Sequence, residues 1–207
     1  MGVIPARGGS KAIPRKNIKK LLGYPLIWWS IQAAKESKRL DRFVVSTEDE
    51  EIAEISKSFG VEVIQRPSYL ATDRSIITDV LKHILEKIKA DIIVLLVPTS
   101  PVRVNNIIDR SIDLFQKKDV DSLATGYMSK YSEWGTSPEI PRQEKKSYFI
   151  ADGCVYIHKA KVILSGNWYG KKLEKMVVPH YYNFDIDEEE DFWAVEGILT
   201  NLQRSKL

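Results

Sequence analysis

Cysteine is almost missing from this chain. Cys154 is the only one in 207 residues, which excludes an internal disulfide or a thiolate zinc cluster and fits a reducing compartment. Long apolar runs are missing as well: the longest, Ile92 to Val97, has six residues, where a membrane helix needs about 20. No membrane association is expected. Met1-Gly2-Val3-Ile4 is too short, and lacks the basic lead, for a signal peptide, so cytoplasm is the expected location. A strong overall charge is lacking too, since 31 Lys+Arg against 28 Asp+Glu leave +3, too little to argue for nucleic acid as a partner. What is present is a chain 43% hydrophobic, which excludes disorder. Its length suits one globular domain spanning residues 1–207.

Two local absences carry more information. From Met1 to Lys35 there is no acid, but there are seven cations: Arg7, Lys11, Arg15, Lys16, Lys19, Lys20 and Lys35. From Phe184 to Glu196 there is no cation, but there are seven acids: Asp185, Asp187, Glu188, Glu189, Glu190, Asp191 and Glu196. Two solvated faces would explain this. So would a basic loop for a polyanionic substrate together with a carboxylate site for the metal that accompanies it.

Short apolar runs alternate with segments of helical period. Val3-Ile4, Phe43 to Val45, Val61 to Ile64 and Ile92 to Val97 read as strands, the last apolar throughout, as a strand buried on both faces would be. Pro25 to Ser37 reads as a helix with proline in its first position. Thr47-Glu48-Asp49-Glu50 has the pattern of a capping box, ahead of Ile52, Ile55 and Phe59 on one face and Gly60 as a stop. Two further amphipathic stripes run from Ile77 to Ile88 and from Ile107 to Phe115. This alternation predicts an α/β fold with a mostly parallel sheet and helices on both faces. Regularity breaks from Tyr127 to Ser147, where Pro138 and Pro141 interrupt a polar, aromatic-dotted stretch that reads as a loop or arm. Cys154 to His158 and Met176 to Val178 read as further strands, and Phe192 to Leu202 as a closing helix.

The segment after the first strand, Pro5-Ala6-Arg7-Gly8-Gly9-Ser10-Lys11-Ala12-Ile13-Pro14-Arg15-Lys16-Asn17, falls at a carboxyl strand end, where open α/β sheets bind ligands. Gly8 and Gly9 would let the backbone approach phosphate oxygens, with Arg7, Lys11, Arg15 and Lys16 to neutralise them. It is neither a Walker A loop nor a G-x-G-x-x-G turn, which weakens NTPase and dehydrogenase readings, and no G-x-S-x-G elbow supports a hydrolase. A flexible basic surface loop is the plainer alternative. Near the other end, Asp185-Ile186-Asp187 in extended backbone would present two carboxylates on one side with the isoleucine turned away. Paired oxygens suit Mg²⁺, which keeps several waters and bridges carboxylates to substrate phosphates. Alternatively, Asp187 caps the last helix, with Glu190 completing the box. His83, His158 and His180 lie far apart and read as packing or surface residues, and Cys154 as an inert core residue.

The run R-G-G-S-K-x-I-P-R-K-N followed by Gly23-Tyr24-Pro25-Leu26-Ile27 resembles the signature of the acylneuraminate cytidylyltransferases. The likeness continues through Val45 to Ala53, Arg66-Pro67, Leu70-Ala71-Thr72-Asp73, Pro98-Thr99-Ser100-Pro101-Val102-Arg103 and Asp185-Ile186-Asp187. It implies a Rossmann-like three-layer nucleotidyltransferase fold with a dimerisation arm at about 127–147, and transfer of CMP from CTP to the anomeric hydroxyl of a nine-carbon sugar acid, with release of pyrophosphate. On this resemblance Arg7, Gly8, Gly9, Ser10, Lys16 and Asn17 handle the nucleotide, with Arg7 and Lys16 catalytic. Asp185 and Asp187 hold the divalent metal, and Ser100, Arg103 and Gln143 face the sugar. A homodimer is implied, the arm supplying Tyr127, Met128, Tyr131, Trp134 and Tyr148 to the interface. Four positions depart from the family pattern: Val97 replaces the usual glutamine, Asp152 an asparagine, Ile150 a frequent arginine and Ala12 a glycine. Valine and isoleucine cannot make the contacts of an amide or guanidinium. The alternatives are a nucleotidyltransferase for another keto-acid or a sugar phosphate, and a non-catalytic nucleotide-binding homologue.

Overall fold

Residues 1–136 and 138–204 are described by a computed structural model of the chain; Ser137, inside the expected arm, and residues 205–207 lie outside the described residues. Seven strands, β1 (Gly2–Pro5), β4 (Phe43–Thr47), β5 (Glu62–Gln65), β6 (Ile92–Leu95), β7 (Ser122–Ser129), β8 (Tyr148–Lys159) and β9 (Leu173–Val177), form one sheet in the order β5-β4-β1-β6-β8-β7-β9, while β2 (Lys20–Leu21) and β3 (Tyr24–Pro25) pair separately as a hairpin. The pairings β1 with β4 and β6, β4 with β5, and β7 with β9 are parallel, and only β8 runs against its neighbours. The mostly parallel sheet is as expected.

Strand period sorts the apolar residues to two sides. Ile4, Val45 and Val94 pack with Ile27 and Ile31 of α1 (Leu26–Glu36), Ile52 of α2 (Glu50–Ser58) and Ile112 and Phe115 of α4 (Ile107–Lys118). Their chain neighbours Val3, Val44, Ile93 and Leu95 pack on the opposite side against Leu81 and Ile84 of α3 (Ile77–Lys87) and Ile163 of α5 (Ala160–Leu164). Two helical layers therefore enclose the sheet. A third cluster joins Ile13, Leu21 and Val102 to Ile186 and to Phe192, Val195 and Leu199 of α6 (Glu189–Arg204), which seats the acidic end of the chain beside the basic loop. No helix among the described residues is long and apolar enough to cross a membrane.

Several local expectations shift. Pro25 is the cap of α1 rather than its first residue. Asp49, not Thr47, caps α2: its carboxylate accepts the Ile52 N–H at 2.9 Å, while Thr47 ends β4 and its Oγ1 accepts the Asp49 N–H at 3.1 Å. The first strand-forming run of the sixth strand stops at Leu95, not Val97. The β2–β3 hairpin, turned at Leu22 and Gly23 with φ of 51° and 84°, has the positive angles of a type I′ turn. Regular structure also extends into the start of the expected arm, since β7 continues to Ser129, while β8 begins at Tyr148, just past its end.

The β7–β8 ladder is broken by a bulge: Ala124 faces Tyr156, yet Gly126 faces Ala151. The extra residues on β8 include Asp152 and Gly153, the latter at φ 73°. Bulges of this kind re-aim a strand and occur beside functional sites.

Candidate active site

The carboxyl ends of β1, β5 and β6 border a cleft of about 320 Å³, at the lower end of ligand-pocket sizes. Arg7, Ser10, Lys16 and Asn17 of the basic loop line it, with Arg66 and the Val97–Thr99 turn. Four of the six residues expected to handle a nucleotide are thus brought together.

Gly8 and Gly9 do not line the cleft. The Gly8 N–H donates to Glu48 Oε1 at 2.7 Å, and a Cβ at this position would stand 2.2 Å from Asp49 Oδ2. Glycine is needed here because the loop presses on the α2 cap. Glu48 is itself held by Arg66, whose Nε and Nη2 donate to Oε2 at 3.0 and 2.9 Å.

The loop cations have acidic partners. Arg7 and Lys11 share Asp73, at 2.8 and 2.7 Å, and Lys11 foremost, then Arg7, hold the Asp73 carboxyl below its usual range. Asp73 belongs to a motif the sequence displayed, but no charge pattern marked it as the partner of Arg7. Arg15, in left-handed backbone, pairs with Asp49 and Glu51 and so ties the loop to α2. Asn17 is buried and its Nδ2 donates to the Arg7 carbonyl at 2.9 Å, which fixes the loop from within.

Lys16 joins the two ends of the chain. Its Nζ donates to the Ile186 carbonyl at 2.6 Å and lies 3.2 Å from Asp187 Oδ1. Residues 184–187 form no strand, yet they alternate as expected: Ile186 is buried, and Asp185 and Asp187 reach the surface on either side of it. The run hangs from the Thr99 carbonyl, which accepts the Ile186 N–H at 2.8 Å. Asp191, not Glu190, reaches back at the start of α6, accepting the Asp187 and Glu188 N–H groups at 2.8 Å each. Desolvation pushes the Asp185 carboxyl up, the Asp187 charge adds to the effect, and the hydroxyls of Thr99 and Ser100 and the Lys16 charge oppose it. The Asp187 charge disfavours ionisation of Asp185, and a divalent cation between the two would relieve that repulsion. Two carboxylates are oxygen donors of the kind that suits Mg²⁺, which keeps several waters; no cluster of three or more potential ligands occurs among the described residues.

Ser100 and Arg103 were expected to face the sugar, but the fold turns both inward. Ser100 has no exposed surface, and its Oγ lies 3.0 Å from the Asp152 carbonyl and 3.3 Å from Asp185 Oδ1. Arg103 is 9% exposed; Nε, Nη1 and Nη2 donate to the Cys154 carbonyl, Ser30 Oγ and the Val97 carbonyl at 2.7, 2.9 and 2.7 Å. With all three nitrogens engaged inside the protein, Arg103 braces the turn after β6 against β8 and α1. Gln143 is exposed on the arm, outside the cleft, and its carbonyl accepts from Lys130 Nζ at 2.8 Å.

Of the departing positions, Val97 lines the cleft and Asp152 is buried. Thr125 Oγ1 and the Cys154 N–H donate to Asp152 Oδ1 at 2.6 and 2.9 Å, its Oδ2 has no partner, and burial raises its pKa. Ile150 lines a second, more apolar pocket of about 420 Å³ with Phe149, Tyr156, Trp168 and Leu173. Burial pushes the Tyr156 hydroxyl to about 12, the Asp152 and Asp185 charges add to that, and a hydrogen bond with the Gly153 backbone opposes it. Burial likewise raises the Cys154 thiol to about 12 and lowers His158 to about 4, in keeping with inert packing roles.

The model of the family described as Cytidylyltransferase matches residues 1–196. Among curated relatives, the Escherichia coli N-acylneuraminate cytidylyltransferase is 26% identical, covering 100% of this chain and 54% of its own. The chain spans about half the length of this and other such relatives. The CMP-N,N′-diacetyllegionaminic acid synthase of Legionella pneumophila is 29% identical and is covered over 98% of its length. In structure, a CMP:2-keto-3-deoxy-manno-octonic acid synthetase complexed with CTP superposes with a TM-score of 0.76 at 17% identity, covering 97% of this chain and 98% of that one. A sheet of this topology, a basic cleft at its carboxyl edge and a match over nearly the whole chain agree: the chain belongs to the cytidylyltransferase family.

Proposed function

We propose that the chain transfers CMP from CTP to the anomeric hydroxyl of a nonulosonic sugar acid, releasing pyrophosphate. The observation that carries this is Lys16, held 2.6 Å from the Ile186 carbonyl and so fixed between the basic cleft and the Asp185–Asp187 pair. Nucleotidyl transfer requires positioning and charge neutralisation more than covalent chemistry. Arg7 and Lys16 take the charge that develops toward pyrophosphate, and Ser10 and Asn17 shape the cleft around the phosphates. Asp185 and Asp187 would hold Mg²⁺, which supplies charge neutralisation and acidifies a coordinated hydroxyl. The sugar hydroxyl attacks the α-phosphorus in line.

The second pocket supports a particular acceptor. Its walls are apolar around Ile150, Phe149 and Trp168, and an unpaired hydroxyl against such a wall costs about 1 to 3 kcal/mol. An acid with deoxy carbons and two acyl groups suits it better than a hydroxyl-rich one. The full-length relative named as a diacetyllegionaminic acid synthase points the same way. We also assign a homodimer: the arm exposes Met128, Tyr131 and Trp134, and Gln143 on it would serve the pocket of a second copy.

The test is pyrophosphate release from each of the four NTPs with N-acetylneuraminic, legionaminic and pseudaminic acids, run on wild type and Ile150→Arg, with the mass in solution from light scattering. The expected result is CTP dependence and the highest kcat/KM with a di-N-acylated acid. No release with any pair refutes catalysis, preference for N-acetylneuraminic acid refutes the acceptor, and a fully active monomer removes the arm.

A further inference from the structure

We infer that Ser100, through the bulge at Asp152 and Gly153, is the positioning residue for the Asp185 carboxylate and thereby sets affinity for the divalent cation; this rests on the reading of Asp185 as a ligand to that cation. Ser100 has no exposed surface, so no substrate can touch it. Its effect must pass through what its hydroxyl holds. A serine hydroxyl has one proton, and here two acceptors compete for it: the Asp152 carbonyl at 3.0 Å and Asp185 Oδ1 at 3.3 Å.

The bulge fixes where that hydroxyl sits. Asp152 is pinned by its own side chain, whose Oδ1 accepts from Thr125 Oγ1 at 2.6 Å and from the Cys154 N–H at 2.9 Å. Thr125 Oγ1 in turn accepts the Val155 N–H at 3.0 Å. Gly153 then turns through φ 73°, and a Cβ there would lie 2.5 Å from Ser100 Oγ. Glycine is needed both for the backbone angle and for the space the hydroxyl fills.

On the other side, Asp185 lies next to Ile186, whose N–H is held by Thr99. Thr99 thus restrains the backbone next to Asp185, and the hydroxyls of Thr99 and Ser100 both bear on its carboxylate, Ser100 on Oδ1. A carboxylate with one oxygen fixed by a hydroxyl offers its other oxygen to a cation in a set direction. Loss of such an outer partner typically weakens metal affinity 10- to 100-fold. The sequence motif Pro98-Thr99-Ser100-Pro101 thus contributes to the site from behind the acid.

The experiment measures Mn²⁺ binding to the free protein by electron paramagnetic resonance, and CTP binding in EDTA by tryptophan fluorescence. For Ser100→Ala the Mn²⁺ Kd is expected to rise about 10-fold, with the CTP Kd within twofold of wild type. Gly153→Ala, which keeps the hydroxyl but displaces it, should shift Mn²⁺ in the same direction and carries the test if Ser100→Ala does not fold. Asp185→Asn should abolish saturable Mn²⁺ binding. An unchanged Mn²⁺ Kd in Ser100→Ala or Gly153→Ala overturns the inference, and so does equal weakening of Mn²⁺ and CTP, which is the mark of general loosening. Unchanged Mn²⁺ binding in Asp185→Asn, or none in wild type, overturns the reading of Asp185 itself.

Discussion

Arg103→Ala separates a brace from a sugar contact. The substitution deletes three donors aimed at the Cys154 carbonyl, Ser30 Oγ and the Val97 carbonyl. The three losses are unequal. The Val97 carbonyl keeps the Ser100 N–H at 3.2 Å, and the Ser30 hydroxyl can rotate toward another acceptor, so the Cys154 carbonyl suffers most. One buried acceptor left without a partner costs about 1 to 3 kcal/mol, and emptying the space of a long buried side chain adds about 2 kcal/mol. The expected destabilisation is therefore about 3 to 5 kcal/mol. Arg103→Lys retains the charge but not the three-way geometry, and should fall between. Urea denaturation followed by tryptophan fluorescence reads the stability, and KM for CTP and acceptor is measured on the folded fraction. A loss of stability below about 1 kcal/mol together with a tenfold rise in acceptor KM would refute the bracing role and return Arg103 to the sugar.

Lys16→Ala should lower kcat/KM by roughly the 2 to 4 kcal/mol typical of one charge-stabilising donor, while Lys20→Ala, at an exposed position, leaves it within twofold; equal effects would reduce the basic loop to bulk electrostatics. Asp185 gives a pH signature. Because its folded-state pKa is raised, the folded protein disfavours the charged form, and wild-type stability in EDTA falls as pH rises through that range. Asp185→Asn should accordingly show a higher Tm than wild type in EDTA at neutral pH, with the gap closing under acid. A Tm difference independent of pH would contradict this.

Periodicity made the layers legible. Val3 and Ile4, or Val44 and Val45, are adjacent apolar residues that a two-residue repeat must send to opposite sides, and the helical stripes of α3 and α4 leave little choice of face. β7 was hidden because Ser122, Ala124 and Gly126 are small or polar, and its strand character comes from pairing with β8 and β9. The start of β8 was hidden by the bulge, which interrupts the alternation between Ala151 and Tyr156. In the site, the identity of the residues was readable but not their direction. Ser100 and Arg103 look like ligand groups in a turn; the partners that claim them, Asp152 and Ser30, lie 52 and 73 residues away. Asp73 was likewise invisible as a partner of Arg7, 66 residues apart.

The same distances explain why charge is segregated along the chain without being segregated in space. Arg15 is claimed by Asp49 and Glu51, Lys16 by Asp187, Lys19 by Glu189, and Arg7 and Lys11 by Asp73. These pairs differ in how readily an incoming polyanion can replace the carboxylate. Arg15 is held by two carboxylates, Asp49 and Glu51, the first of them fixed in place as the α2 cap, so this pair stays. Lys16 is only 12% exposed and has the Ile186 carbonyl as a second anchor, so it can meet a phosphate without leaving its place. Asp73 is exposed and pairs with two cations that are themselves partly or largely exposed, and exposed pairs contribute little to stability. A triphosphate carries more charge than Asp73 and presents it on several oxygens, so Arg7 and Lys11 can transfer to it at small cost. The acid-free stretch from Met1 to Lys35 is what makes that exchange possible: no carboxylate within the loop itself competes for its cations, and those that do arrive from elements that can hold on or let go independently.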